Sequence, residues 1–213
     1  MSEISFSLLD AKAEPYAAIP TMAFRLRLEE PTGATIHCVA LHCQVRIEPQ
    51  RRRYSREEEE RLRELFGSTP QWGDTVKPFL WTHADMMVAG FTGSTDIDLK
   101  VPCTYDFEVA AAKYLHSLGD GEVPLLFLFN GSVFAKAPVG LRVSQLAWHK
   151  DATYRLPVRV WRDLMDLYFP NSGWLRLSRD TLDRVLEFKA QHAIATWDQV
   201  MEMLLEAAGV NPQ

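Results

Sequence analysis

Through residues 22–48 the chain alternates apolar and polar side chains with a period of two, the mark of strands with one face in a core and the other in solvent. Met22, Phe24, Leu26 and Leu28 point one way and Arg25, Arg27 and Glu29 the other, before Pro31-Thr32-Gly33 supplies a turn. Val39, Leu41, Cys43, Val45 and Ile47 repeat the pattern against His42, Gln44, Arg46 and Glu48. Together they read as two antiparallel strands covering one core.

After Pro49 the alternation stops. Ser55 with Glu58 three residues on makes a capping box, and Glu57–Arg61 and Glu59–Arg63 follow in the supportive acid-before-base order. A short helical insertion over residues 56–66, ending near Gly67, is the prediction. Strand character returns at Phe79, and Ile97, Leu99 and Val101 oppose Asp96, Asp98 and Lys100. Residues 105–118 read as a further strand, joined through Gly119-Asp120-Gly121 to residues 122–134 as a hairpin. Leu125, Leu126, Phe127, Leu128 and Phe129 are apolar at successive positions, which predicts a central strand covered on both faces. Residues 141–148 add one more. Seven or eight strands without a strand–helix repeat predict an antiparallel, immunoglobulin-like β-sandwich over residues 1–148.

The last third changes period. Val158, Trp161, Leu164, Met165 and Tyr168 form a helical stripe between Pro157 and Pro170. Ser178 caps a second helix with Leu182, Val185 and Leu186, and Thr196 with Gln199 opens a third carrying Val200, Met201, Leu204 and Leu205 before Gly209. No Gly/Ser/Pro linker intervenes, so residues 149–213 are expected to form a bundle of about three helices packed on the sandwich as one unit. The fold class is α+β.

Composition narrows the function. The chain has 213 residues, 47% of them hydrophobic and 24% charged, an ordinary globular balance that supports a large core. A net charge of −5 removes any general pull toward phosphates, which argues against nucleic acid as a partner. Three cysteines without paired spacing fit a reducing compartment. The opening residues lack a basic-then-apolar leader, and no apolar run approaches the ~20 residues of a membrane span. Cytoplasmic localisation is the expectation.

Candidate chemistry is sparse. His37-Cys38 and His42-Cys43 have the look of a metal-ligand set, but on a strand Cys38 and His42 lie about 13 Å apart at ~3.3 Å per residue. Zinc requires its ligands within ~2.0–2.3 Å of one ion, so no metal is expected; Cys43 reads as core and His42 as surface. Cys103 has no histidine placed beside it, which reads as a buried structural thiol. Gly90-Phe91-Thr92-Gly93 lacks the lysine and helix start of a phosphate loop, and Asn130-Gly131-Ser132 lacks the nucleophile-elbow pattern. Asp96 and Asp98 share a face that is expected to be solvated. No catalytic set and no cofactor follow from this.

The densest mixture of aromatic and titratable groups is Trp148, His149, Asp151, Tyr154 and Arg155, where strands give way to helices. These five residues are the candidate interaction surface. A protein partner is the expected ligand class, and self-association into a homo-oligomer stays open. Two other readings are an enzyme of unknown reaction using residues 149–155 and a chaperone-like holder of unfolded clients using the apolar strand at residues 125–129.

Val101-Pro102-Cys103-Thr104-Tyr105-Asp106-Phe107-Glu108-Val109, Lys113-Tyr114, Gly121-Glu122-Val123-Pro124-Leu125 and Leu156-Pro157-Val158-Arg159-Val160-Trp161 carry a family resemblance. From about Phe24 to Trp197 the chain resembles an uncharacterised bacterial family of unknown function, frequent in actinobacteria and encoded beside genes for oxygen-tolerant nickel–iron hydrogenases. The resemblance implies a hydrogenase-linked accessory protein, with a hydrogenase or its maturation machinery as partner. It brings no catalytic residues, and the chain has no C-x-x-C pair with which to hold an iron–sulfur cluster itself.

Overall fold

A computed structural model describes residues 3–104, 106, 109–147, 149–173 and 175–210. Among these residues the chain forms β1 (Ser5–Ala13), β2 (Thr21–Glu29), β3 (Thr35–Ile47), α1 (Arg56–Arg61), α2 (Arg63–Phe66), α3 (Trp72–Thr75), β4 (Phe79–Thr92) and β5 (Ser94–Pro102). There follow α4 (Ala110–Ser117), β6 (Glu122–Lys136), β7 (Leu141–Gln145), β8 (Lys150–Pro157), α5 (Val158–Tyr168), α6 (Arg179–Gln191) and α7 (Trp197–Ala207). All strand pairs are antiparallel. They make a three-stranded sheet, β1-β2-β5, and a five-stranded sheet, β4-β3-β6-β7, in which β8 also pairs with β6.

β2 and β3 are adjacent in sequence and alike in pattern, yet they stand in different sheets. Alternation selects the inward side chains and says nothing about which strand is the neighbour. The turn after β2 crosses between the sheets, and buried Glu30 organises it by accepting from Thr32 Oγ1 at 2.5 Å and from the Ala34 N–H at 2.8 Å. The inner faces of the two sheets share one core. The ring of Phe24 on β2 lies edge-on to Phe127 on β6 at 5.1 Å, and Phe6 on β1 stacks on Phe129 at 4.2 Å.

β6 runs for 15 residues, and two strands divide its free edge: β8 pairs with residues 122–129 and β7 with residues 132–136. Gly131 lies between them with φ +144°. A Cβ there would come within 2.0 Å of the Ala40 carbonyl oxygen, so the close approach of β6 to β3 requires glycine. The Leu146 N–H donates to the Gly131 carbonyl at 2.9 Å, which turns the chain from β7 toward β8.

Three expectations are corrected. Residues 105–118 do not form a hairpin strand; their described part is helix α4, because Ala110-Ala111-Ala112 favours helix and Ala111, Tyr114, Leu115 and Leu118 bury one helical side. β6 is central by pairing but deeply covered on one face only: Leu125, Phe127 and Phe129 are buried, while Leu126 and Leu128 are half-buried on the outer face. Residues 150–157, assigned to the helical region, are strand β8, in which Ala152, Tyr154 and Leu156 alternate with Asp151, Thr153 and Arg155.

The chain divides into two compact units, Met1–Trp174 and Leu175–Gln213. The expected group of three helices is split by that division. α5 belongs to the first unit, where Val158, Leu164 and Met165 enter the core shared by the sheets. The Tyr168 hydroxyl anchors its far end, accepting from the Ala17 N–H at 3.1 Å and lying within hydrogen-bond distance of the Glu14 carbonyl, 2.8 Å. The helical insertion is present as α1 and α2 and continues through α3. Tyr54, Phe66, Trp72, Phe79 and Tyr114 form an aromatic cluster that joins it to α4 and β4.

Candidate interaction surface

The outer faces of the two sheets differ in chemistry. On the three-stranded sheet the register sets Arg25 opposite Asp98 and Arg27 opposite Asp96. Arg27 grips Asp96 with two bonds of 2.7 and 2.9 Å, Arg25 reaches Asp98 at 3.1 Å, and Lys100 reaches Glu14 at 3.2 Å. The hydrogen bond from Arg27 holds the Asp96 carboxyl below its usual range, and Asp96 in turn raises Arg27. Asp96 and Asp98 are therefore partners of arginines rather than of each other, and the charges of this face answer one another.

The outer face of the five-stranded sheet is arranged in rows across the strands. At one end Ala89, Cys38, Phe134 and Val143 align on β4, β3, β6 and β7, an apolar row. Beside it run Met87, Ala40, Ser132 and Gln145. Met87 is 64% and Val143 56% exposed, large values for apolar side chains on a strand face. The next rows are polar: Asp85, His42 and Asn130, then His83, Gln44, Leu128 and Asp151. His42 Nδ1 bonds Asp85 Oδ1, the His42 and His83 rings stack at 5.3 Å, and Gln44 Nε2 lies 3.3 Å from His83 Nε2. The outer face thus carries an apolar strip beside a hydrogen-bonded polar strip.

The five residues singled out in sequence are divided by this geometry. Trp148 lies outside the described residues. His149 sits in the turn before β8, and Asp151 and Arg155 project from the outer face, Asp151 in the row of His83 and Arg155 4.0 Å from Glu122. Tyr154 points inward instead, edge-on to Phe24 at 6.0 Å; burial raises its phenol, and Asp10 raises it further. Strand alternation explains the division, since residues 151 and 154 fall on opposite faces. Sequence reading missed Met87, His83, Asp85 and Val143. The signal of Met87, His83 and Asp85 was weak because β4 carries apolar residues on both faces, and Val143 sits on the five-residue β7, too short for alternation to mark its outward side.

The cysteines behave as their positions dictate. Cys43 is buried in the core, and Cys103 is buried with its thiol donating to the Val101 carbonyl at 3.5 Å. Burial pushes both thiols up to about 12, the opposite of the shift a nucleophilic cysteine needs. Cys103 also lines a cavity of 260 Å³ with Trp81, Thr82, Leu115 and Trp161, a mostly apolar hollow. Among the described residues no three His, Cys, Asp or Glu side chains are grouped to hold a metal ion, and no helix is long and apolar enough to cross a membrane.

The model of a family described as a family of unknown function, DUF6084, matches residues 1–213. The chain belongs to that family. The match covers the segments on which the family resemblance was read, and it adds no chemistry to them. No curated protein matches the sequence. Two crystal structures of the β-glucosidase from Kluyveromyces marxianus, the second in complex with glucose, align with 72% of this chain at 8% and 12% identity and TM-scores of 0.28 and 0.23. This DUF6084 chain spans 15% of the length of those enzyme chains.

Proposed function

We propose that the protein is a non-catalytic accessory or assembly component of the cytoplasm that binds a protein partner on the outer face of its five-stranded sheet. The observation that carries this reading is the apolar row Ala89–Cys38–Phe134–Val143 with exposed Met87 beside it, on a face whose counterpart in the other sheet is laced by ion pairs. Contiguous apolar surface with a polar margin is what docking faces offer. Asp151 and Arg155, singled out in sequence, share that face.

The architecture supports the same reading. We read the two antiparallel sheets, β1-β2-β5 and β4-β3-β6-β7, as an immunoglobulin-like sandwich, a scaffold on which sheet faces and end loops serve as binding surfaces. The resemblance read from the sequence makes a nickel–iron hydrogenase or its maturation machinery the first partner to test.

The test is affinity purification from the native host of the wild-type chain and of Met87→Glu/Val143→Glu, followed by mass spectrometry. A constant partner at near-stoichiometric yield with the wild type, lost with the double variant, is the expected result. No constant partner under several growth conditions, or a partner retained by the variant, overturns the assignment.

A further inference from the structure

β4 and β5 are joined through Gly93 yet lie in different sheets, and their far ends line one cavity of 260 Å³. Trp81 and Thr82 come to it from β4, and Pro102 with Cys103 from the end of β5. α4 and α5 supply the remaining walls, chiefly Ala112, Leu115 and Trp161. Cys103, Leu115 and Trp161 are buried, whereas Ile19 and Val109 are 53% and 40% exposed and mark the margin that faces solvent. Interiors are packed with few voids larger than a water molecule, so a hollow of this size is a departure that needs a cause. The cause lies in α4, which sets small side chains against it. Ala112 is 2% exposed and lines the cavity without joining the main core cluster, so a longer residue there would enter the hollow.

The walls define what such a cavity can hold. Among the described residues that line it, none carries a charged side chain. Its polar groups are already engaged by the backbone: the Cys103 thiol donates to the Val101 carbonyl at 3.5 Å, the Thr82 hydroxyl donates to the His83 carbonyl at 3.3 Å, and Thr104 Oγ1 accepts from the Asp106 N–H at 3.1 Å. Burial raises the Cys103 thiol to about 12, so the sulfur is neutral as well. An ion entering here would shed its hydration and find no counter-charge in return. Trp81 and Trp161 offer aromatic surface instead, which favours ring ligands through offset and edge contacts. An apolar cavity of about 150 Å³ takes up benzene. At 260 Å³ this one has room for two fused rings.

We propose that this cavity is a binding site for an uncharged aromatic small molecule of one or two fused rings, in contact with Trp81 and Trp161. The site is separate from the sheet face assigned above and does not rest on that assignment. Fluorine NMR on the full chain tests it with three compounds: 5-fluoroindole, its anionic 2-carboxylate and the aliphatic ring fluorocyclohexane. The wild type binds 5-fluoroindole at submillimolar concentration and the other two roughly tenfold more weakly or less. Ala112→Leu fills the hollow, so it weakens 5-fluoroindole binding roughly tenfold or more while the melting temperature holds or rises. A second readout needs no variant: in methyl spectra of the wild type, the resonances of Ala111, Ala112 and Leu115 shift as 5-fluoroindole is added. A wild type that binds no 5-fluoroindole, equal binding of the carboxylate or of fluorocyclohexane, binding undiminished in a folded Ala112→Leu, or shifts confined to methyls elsewhere would each overturn the proposal.

Discussion

Arg52 and Glu58 meet at 2.5 Å with side chains only 8% and 6% exposed, and this pair ties the helical insertion to the loop that leads into β6. Glu58 Oε1 also accepts from the Gly119 N–H at 2.7 Å and Oε2 from the Ser55 N–H at 3.0 Å. Arg52 donates to the Asp120 carbonyl at 2.6 Å and the Glu122 carbonyl at 2.9 Å. Each buried charge is thus matched by several partners, the condition under which a buried ion pair is tolerated.

Glu58→Gln leaves the Arg52 guanidinium buried without its counter-charge, and the expected loss is about 3–5 kcal/mol of folding stability by chemical denaturation. A loss below about 1 kcal/mol, typical of exposed pairs, contradicts this account.

The same carboxyl makes a pH prediction. Burial pushes its pKa up, but the Ser55 and Gly119 N–H groups and Arg52 together outweigh that and hold it below the ordinary 4.5. A depressed carboxyl stabilises fully above its unfolded value, and that contribution fades as pH falls through the lower folded value. Wild-type stability should therefore fall more steeply than that of Glu58→Gln as pH drops below about 4.5, read from melting temperatures across an acid series. Parallel curves would exclude the assignment.

Gly131→Ala places a Cβ against the Ala40 carbonyl and forces an alanine to φ +144°. The expected cost is about 1–3 kcal/mol for the backbone alone, with more from the clash. Gly140→Ala is the control, since its Cβ meets nothing within 4 Å and only the φ of +73° is unfavourable. Equal losses at the two sites would deny the close approach of β6 to β3.

The Tyr54 and Tyr114 hydroxyls bond each other at 2.8 Å inside the aromatic cluster. Burial raises Tyr54 to about 12, and it raises Tyr114 further. Spectrophotometric titration should find both of these phenols, among six tyrosines, still protonated when exposed ones have ionised. Because the unfolded phenols ionise near the ordinary value of 10, stability is fully present below pH 10 and lost above it. Tyr54→Phe/Tyr114→Phe removes two late-titrating groups; an unchanged alkaline curve refutes the placement.

Thiol labelling separates the cysteines. Cys38 is half-buried on the outer sheet face, whereas Cys43 and Cys103 are buried and held near 12. One equivalent of a thiol reagent should react with the folded chain and three with the denatured one. Rapid reaction of two or three equivalents under native conditions rules this out.

Local physics was legible in the sequence by itself. Alternation identified the inward faces of β2, β3 and β5, since a strand half in water must sort its residues by polarity. Caps identified α1, α6 and α7, because Ser55, Ser178 and Thr196 satisfy helix-end N–H groups within four residues of themselves. Tertiary structure alone decided the rest. That β2 pairs with β5 and β3 with β6 depends on contacts distant in sequence, and no local pattern encodes the neighbour. Residues 105–118 read as a hairpin strand, whereas burial of Tyr114 and Leu115 on one side of Ala110–Ser117 belongs to a helix. Glu58 read only as one half of a capping box with Ser55; folding brought Arg52, Gly119 and Asp120 together around it and made the pair the centre of a buried network.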